Sequence, residues 1–523
     1  MTDQQTATSA TTEPSGGVRV RFAPSPTGAL HVGGVRTALF DWLFARGEAK
    51  RQGLDGAFVL RIEDTDRNRY VPGAVESLVA SLRWFGLDWD EGPDVGGPFA
   101  PYTQSERTDR YRAHAESLIA GGHAYRCFCP PDRLERVRAE RQAAGLPPGY
   151  DRHCRALPAE DVAANLAAGM PHVVRFATPR QGETIVHDLI RGEITYQNAT
   201  LEDLVLLKSD GYPTYHLANV VDDHLMAITH IFRGPEWIPT APVHVLLYQA
   251  FGWSMPALLH VPLILAPGGG KLSKRHGATG LEEFQAQGYL PEALMNYLVL
   301  LGWSYDGTTE IFSRADLLEK FSIRRISASP GTFDHDKLRW FNQHYINHIL
   351  SVDDLAARVV PFLADTGLVD AAAAAPSHPQ HAQVREAAAL LKDRLETLAQ
   401  APDLMGFLLA DALAPYDPLT LVPKKTEPAA ALRALEATLA ALDEVDLADE
   451  AATEARLRGL AEELGLKTGQ LFMAIRVAVT GRTQSPPLFA TMHVVGADRC
   501  RARVAAAADA LRRSVATPVP AGD

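Results

Sequence analysis

Eleven residues, Pro24-Ser25-Pro26-Thr27-Gly28-Ala29-Leu30-His31-Val32-Gly33-Gly34, separate the alternating segment Val18–Phe22 from a stretch in which Val35, Leu39, Trp42 and Leu43 recur at helical spacing. Alternation predicts a strand and the wider recurrence a helix. Ala57 to Ile62 then reads as a second strand, buried in its middle, before the acidic turn Glu63-Asp64-Thr65-Asp66. Strand, glycine-bearing turn, helix and strand make a βαβ unit, so the chain builds a parallel sheet with its ligand crevice where the first strand meets the first helix. There, glycines let a nucleotide approach the backbone, the helix N-terminus offers N–H groups to phosphate, and His31 can donate to charge developing on an α-phosphate.

A chain of 523 residues, at about 150 per domain, predicts three to four domains. The hydrophobic fraction of 46% and charged fraction of 22% describe a soluble globular protein rather than a disordered polyelectrolyte. The net charge of −12 excludes global attraction to nucleic acid or an anionic membrane, so a polyanion must be met by local basic patches. Four cysteines make no disulfide framework; Cys127, Cys129 and Cys154 cluster, which points to metal or reduced thiols in the cytoplasm. Residues 1–17 carry no Lys, Arg or apolar core and read as a disordered tail rather than a signal peptide. No apolar run nears the roughly 20 residues of a membrane span.

From about Tyr102 to Asp210 the texture turns Arg-rich, Pro-punctuated and Cys-bearing, before apolar runs resume, which predicts an insertion splitting one α/β domain. Beyond Leu350 the chain is rich in Ala, Leu, Glu and Arg, with helical spacing at Leu390, Leu391, Leu395 and Leu398 and again at Leu432, Leu435, Leu439 and Leu442. Ala371 to Ala375 with Pro376 and Pro379, and the stretch from Pro415 to Pro428, read as linkers or long loops.

A second element, Lys271-Leu272-Ser273-Lys274-Arg275, follows Gly268-Gly269-Gly270 at the end of an apolar run. A glycine hinge carrying two lysines suits closure over a triphosphate and neutralisation of departing pyrophosphate. The two strings resemble the signature sequences of class I aminoacyl-tRNA synthetases, and His-Val-Gly-Gly with Lys-Leu-Ser-Lys-Arg resembles the glutamyl-tRNA synthetases among them. Arg21 to Ser25, Arg61 to Asp66, Tyr212 to Asp223 and Arg233 to Trp237 are also similar to that family.

The resemblance implies a Rossmann catalytic core in two halves, 18–101 and 211–270, around an α+β acceptor-end-binding insertion at 102–210. A lysine-loop and tRNA stem-contact region at 271–345 and an all-α anticodon-binding region at 346–523 would follow. It implies that glutamate is activated by ATP with Mg2+ to glutamyl-adenylate and transferred to the 3′ end of tRNA(Glu) by a monomeric, cytoplasmic enzyme with no membrane attachment. His31 and Lys274, assisted by Lys271, would stabilise the transition state. Arg21, Ala23, Ser25, Glu63, Tyr215, Asn219 and Arg233 would bind glutamate, with Glu63 meeting the ammonium group. Gly33, Gly34, Glu236 and Trp237 would join His31 and Lys274 around ATP. An arginine is the chemically apt selector, because a neutral glutamine would leave its charge unpaired.

Three thiols in one insertion favour a tetrahedral zinc ion that needs a fourth ligand. The family's Cys-x-His version fails because Ala156 stands where the histidine would be; Tyr150 fits the alternative Tyr-x-x-x-Cys version, giving Cys127, Cys129, Tyr150 and Cys154. Reduced thiols without metal are the other reading. Between Arg126 and Arg155, seven arginines face four acids, a local site for a duplex end. Arg324, Arg325, Lys337 and Arg339 form a second candidate for RNA contact. The competing assignments are a short relative that glutamylates a modified anticodon base, glutaminyl-tRNA synthetase with its β-rich anticodon region, a tRNA-binding protein that has lost catalysis, and a nucleotidyltransferase sharing the fold. The long helical tail after Ile346 argues against the first two.

Overall fold

The protein's computed structural model describes residues 17–146 and 149–516, with the Lys274 side chain left out. Residues 1–16, expected as a tail, lie outside the described residues. Two units divide the rest: 17–284 with 294–335, and 285–293 with 336–516.

In the first unit, β1 (Val18–Phe22) and β2 (Gly56–Leu60) are parallel, in register from Val18 opposite Gly56 to Phe22 opposite Leu60. Parallel neighbours need a crossover, supplied by helix Val32–Leu43 and its wider continuation, Phe44–Glu48. Downstream come β3 (Ala124–Cys127), β4 (Val173–Phe176), β5 (Glu183–Asp188), β6 (Gly192–Gln197) and β7 (Val205–Leu207). β8 (His230–Arg233) and β9 (Ala257–His260) run parallel to each other. Thr229, just before β8, donates its N–H to the Arg19 carbonyl at 2.9 Å, which sets β8 beside β1. The short strands β10 (Ile264–Leu265) and β11 (Gly331–Thr332) pair separately.

The stretch 102–210, expected as one inserted subdomain, is divided. β3, β4 and β7 form their own antiparallel sheet, whereas the β5–β6 hairpin joins the core sheet through β9, with Asp188 opposite Leu258. Its alternating burial is that of a strand pair with one face covered.

The alternation of Val18–Phe22 does not mark a half-exposed strand. β1 has covered faces on both sides, and Arg21 is only 3% exposed. Such burial is tolerable because the charges are paired. Arg21 Nε donates to Asp223 Oδ1 at 3.0 Å, and Arg61, fully buried, reaches the same oxygen at 2.7 Å through Nη1. Adjacent Asp222 accepts from Arg107 Nε at 2.7 Å, Tyr111 Oη at 2.7 Å and Gln104 Nε2 at 3.0 Å. Helix Tyr215–Leu225 thus carries two buried carboxylates that tie β1, the segment after β2 and helix Thr108–Ala120 together. Its apolar face, with Leu217, Val220 and Val221, packs with Tyr111, Phe176, Leu206 and Leu247.

In the second unit, helices run from Val352–Asp365 to Ala497–Ala516. Helix Pro428–Leu442 buries Leu435 and Leu442 of the expected repeat and leaves Leu432 and Leu439 half-buried. The other expected repeat is interrupted: helix His381–Leu391 stops and two short turns, Lys392–Arg394 and Leu398–Gln400, carry Leu395 and Leu398 into the interior. The two expected linkers are packed, with Ala373 and Leu421 fully buried. Cys500 is buried in the last helix. Among the described residues no helix is long and apolar enough to cross a membrane.

Removing one member of a buried ion pair strands its partner, at a cost of about 3–5 kcal/mol. Asp222→Ala is therefore expected to lower the urea midpoint of the first unit by that equivalent, with Asp222→Asn between the variant and wild type. An unchanged midpoint contradicts the pairing described.

Candidate active site

A cavity of about 1310 Å³ opens at the carboxyl ends of β1 and β8. Both motifs reach it: His31, Gly33 and Gly34 line it from one side, and Lys271, Leu272, Ser273 and Arg275 from another. The backbone explains this convergence. Val32 N–H donates to the Thr279 carbonyl at 2.8 Å and Leu281 N–H to the Leu30 carbonyl at 3.1 Å, so the chain just beyond the lysines is stitched to the first motif. On the other side, Leu272 N–H reaches the Ile264 carbonyl at 3.3 Å and Ala266 N–H the Gly270 carbonyl at 2.9 Å. Between these anchors Gly268, Gly269 and Gly270 stand at φ of +84°, +93° and +79°, conformations that side-chain-bearing residues rarely adopt. Lys271 is exposed at the cavity rim. The Lys274 side chain lies outside the described residues; its backbone forms the turn Lys274–His276.

His31 caps helix Val32–Leu43, its Nδ1 accepting the Gly33 N–H at 3.0 Å. The expected free N–H groups at this helix end are already used: Val32 by Thr279, Gly33 by His31 Nδ1, Gly34 by the His31 carbonyl at 2.9 Å. What the helix offers an anion is its dipole and the Nε2 side of His31. Burial, then nearby Lys271, lowers the His31 pKa below its ordinary value, so the ring is neutral at pH 7.

Arg21, Ala23, Ser25, Glu63, Tyr215, Asn219 and Arg233 all line the same cavity, as do Glu236 and Trp237. Tyr215 stacks on Trp237 with ring centroids 3.9 Å apart. Glu63 accepts from Arg61 Nη2 at 3.0 Å, yet burial dominates and raises its pKa. For Asp223 burial alone would do the same, but Arg21 and Arg61 pull its carboxyl below the ordinary range. The Asn219 amide is oriented by its neighbours, its oxygen accepting from Arg61 Nη2 at 3.1 Å and Arg21 Nη2 at 3.2 Å and its nitrogen donating to Asp223 Oδ2 at 3.1 Å.

The two arginines expected as carboxylate ligands are therefore unlike. Arg21 has protein partners on all three nitrogens, including the Phe232 carbonyl at 3.2 Å from Nη1. Arg233 donates from Nε to His260 and from Nη1 to His244, while its buried Nη2 has no partner among the described residues. Sequence reasoning missed Asp188, His216, His244 and His260 around Arg233. His216 sits within the family-like string Tyr212 to Asp223, whereas Asp188, His244 and His260 show only as polar residues interrupting apolar runs.

Away from the cavity, the sulfurs of Cys127, Cys129 and Cys154 lie within 4.8 Å of one another. Tyr150 Oη stands 3.2 Å from Cys127 Sγ and 3.4 Å from Cys129 Sγ, and accepts the Cys154 N–H at 2.9 Å. Hydrogen bonding from Cys154, then from Tyr150, lowers the Cys127 thiol to about 4 against the opposing effect of burial, while Cys127 and burial push Cys154 up. Arg133 Nη1 faces Cys129 Sγ at 3.5 Å, and the Arg175 guanidinium lies 3.9 Å from the Tyr150 ring centroid. Four donor atoms with cations behind them match the needs of a thiolate-rich metal site.

The arginine excess beside this cluster is largely spent internally. Arg126 pairs with Glu116, Arg133 with Asp151, and Arg152 and Arg155 with buried Asp203. Arg136 and Arg138, on a helix with no buried residue, have no ion pair among the described residues. Of the other basic group, Arg325 covers the Tyr305 ring and Arg339 pairs with Asp336.

Residues 17–340 match the family model for the catalytic domain of tRNA synthetases class I (E and Q), and 354–508 that of an anticodon binding domain. A glutamate–tRNA ligase of Dehalococcoides mccartyi is 48% identical over 490 residues, spanning 94% of this chain and 97% of the relative. One from a Roseiflexus species is 49% identical over 508 residues, spanning 95% and 98%. A crystal structure of a glutamate tRNA ligase from Elizabethkingia meningosepticum, in complex with its amino acid, superposes with a TM-score of 0.81 at 35% identity, covering 94% of this chain and 99% of that one.

With histidine-selective isotope labelling and assignment through His31→Gln, the His31 resonance is expected to titrate below pH 6.5, and Lys271→Ala to move its midpoint up. Since the folded chain binds this proton less readily than the unfolded one, His31 has no effect on stability above pH 6.5 and weakens folding as pH falls below it. A midpoint indifferent to Lys271 contradicts the arrangement.

Proposed function

The chain belongs to the glutamate–tRNA ligase family of class I tRNA synthetases, and from that membership we propose how its cavity performs the two steps of glutamate charging. ATP, tRNA and glutamate are the substrates of this family, and the reaction is that of a ligase. One glutamate α-carboxylate oxygen attacks the α-phosphorus of ATP, the bond to the bridging oxygen breaks, and pyrophosphate leaves with the electron pair. The 2′-hydroxyl of the terminal tRNA adenosine then attacks the mixed-anhydride carbonyl and AMP departs. Neither step needs a protein nucleophile; orientation and electrostatic stabilisation carry the acceleration.

Neutral His31 donates from Nε2 toward the α-phosphate, and Lys271 and Lys274, on the glycine-hinged loop, neutralise the departing pyrophosphate. Mg2+ accompanies the triphosphate as part of the substrate. Gly33 and Gly34 give the nucleotide close access, and Glu236 and Trp237 border its base and ribose. Arg233 takes the glutamate side-chain carboxylate. Glu63 meets the ammonium group, whose charge favours the ionised carboxylate that burial disfavours. Ala23, Ser25, Tyr215 and Asn219 shape the pocket, and Arg21 forms its wall as the partner of Asp223. The observation that carries this reading is Arg233 Nη2, a buried donor with no partner among the described residues, on an arginine that lines the cavity shared by His31 and Lys271.

The donor set Cys127, Cys129, Tyr150 and Cys154 would hold a structural zinc ion that fixes the loop after β3 to the turn His153–Ala156. Arg136 and Arg138 would meet acceptor-end phosphates, and the helical unit the anticodon. We place the enzyme in the cytoplasm as a monomer.

Charging purified tRNA(Glu) with glutamate and ATP tests the function, and inability to charge any tRNA contradicts it. Lys274→Ala is expected to raise the adenylation barrier by about 2–4 kcal/mol with glutamate affinity nearly unchanged, read by pre-steady-state kinetics. A loss confined to binding removes the role assigned to Lys274. Elemental analysis is expected to find zinc in the purified chain and much less in Cys154→Ser; equal contents contradict the ligand set.

A further inference from the structure

Behind Arg233 a polar chain runs through the interior, and its donor logic is fixed by the arginine. Arg233 Nε lies 2.9 Å from His260 Nε2, and Nη1 lies 3.0 Å from His244 Nδ1. A guanidinium only donates, so both ring nitrogens must present lone pairs. His260 therefore carries its proton on Nδ1, which lies 2.6 Å from Asp188 Oδ2. His244 carries its proton on Nε2, which lies 3.0 Å from His216 Nδ1. Asp188 is itself held by the backbone N–H groups of Ile190, Arg191 and His260 at 2.8–2.9 Å. Asp188, His244, His260 and Arg233 are all buried. Burial first, and then the Arg233 charge, keep His244 well below its ordinary pKa; burial also lowers His260 despite Asp188, and brings His216 to about 4.

Arg21 shows the alternative: its guanidinium meets a carboxylate, Asp223, directly. Around Arg233 the nearest acceptors are neutral imidazoles, and the carboxylate sits one ring away. Two nitrogens are oriented without being neutralised, Nη2 keeps no partner among the described residues, and the arginine that carries this charge lines the pocket. A guanidinium left charged and geometrically fixed rewards an incoming carboxylate and penalises a carboxamide.

On the reading that Arg233 binds the glutamate side chain, we infer that Asp188, His260, His244 and His216 are positioning residues that set the enzyme's preference for glutamate over glutamine. The hairpin β5–β6 owes part of its place in the core sheet to this task, since it delivers Asp188 to His260.

Steady-state kinetics of charging, with glutamate, glutamine and ATP each varied, separate this role from a structural one. Asp188→Asn keeps the shape but can turn an N–H₂ toward His260 Nδ1, driving the ring proton onto the nitrogen that must accept from Arg233. His260→Phe removes the acceptor, and His260→Gln restores one at the Nε2 position. Asp188→Asn and His260→Phe are expected to raise the glutamate KM about ten-fold or more and to lower the glutamate-to-glutamine ratio of kcat/KM, with the ATP KM changed less than about two-fold. His260→Gln recovers most of both. In the double variant with Arg233→Ala, His260→Phe adds no further loss of discrimination.

If Arg233→Ala loses discrimination while Asp188→Asn and His260→Phe do not, the positioning role falls and the pocket assignment stands. If Arg233→Ala itself discriminates as wild type does, the pocket assignment falls first. A parallel rise in glutamate and ATP KM marks a structural effect and overturns the inference. Should His260→Phe fail to fold, the near-isosteric Asp188→Asn decides the matter by the same readouts.

Discussion

Two adjacent carboxylates on one helix, Asp222 and Asp223, hold the catalytic unit together by taking arginines out of water. Each buried guanidinium costs several kcal/mol in lost hydration, and only near-complete hydrogen bonding returns it. Arg21, Arg61 and Arg107 recover most of it by converging from three separate stretches of chain on one helical turn, with Arg61 Nε and Arg107 Nη2 left without a hydrogen bond among the described residues. The same pairing fixes the cavity floor, because the Asn219 amide and the Glu63 carboxylate are oriented by these arginines. Packing and site geometry are thus one network.

Beside that floor, Arg233 is a buried cation met by imidazoles and not by a carboxylate. The contrast between direct carboxylate pairing at Arg21 and imidazole support at Arg233 explains how one strand neighbourhood serves both as scaffold and as recognition surface. Convergence of the two motifs has an equally local cause. Backbone bonds from Val32 and Leu281 join the histidine-bearing turn to the chain beyond the lysines, so loop freedom is confined to the glycine tip.

What the sequence made legible was local. Glycine 28 and His31 announce a turn and a helix start because conformational permission and periodicity are written within a few residues. The role of Val18–Phe22 was harder: V-R-V-R-F has the spacing of a strand with one wet face, and only partners about 200 residues away, Asp223 and the Phe232 carbonyl, reveal that Arg21 is buried. The helix N-terminus offered free amides on paper; the Thr279 carbonyl, about 250 residues away, takes one of them. Asp188 and His260 are 72 positions apart and meet across two parallel strands. Pattern within a window cannot report such a meeting, because register between strands is set by packing.

The chain's route between the two sheets bears on how this architecture can be dismantled. The β5–β6 hairpin returns to the core sheet midway through the stretch that otherwise builds β3, β4 and β7, so the interruption is threaded, not appended. Excising 102–210 as a cassette would strip an edge from the catalytic sheet and leave His260 without its carboxylate. A minimised version of this enzyme would have to retain the hairpin and also Gln104, Arg107 and Tyr111, without which Asp222 is buried and loses its hydrogen bonds.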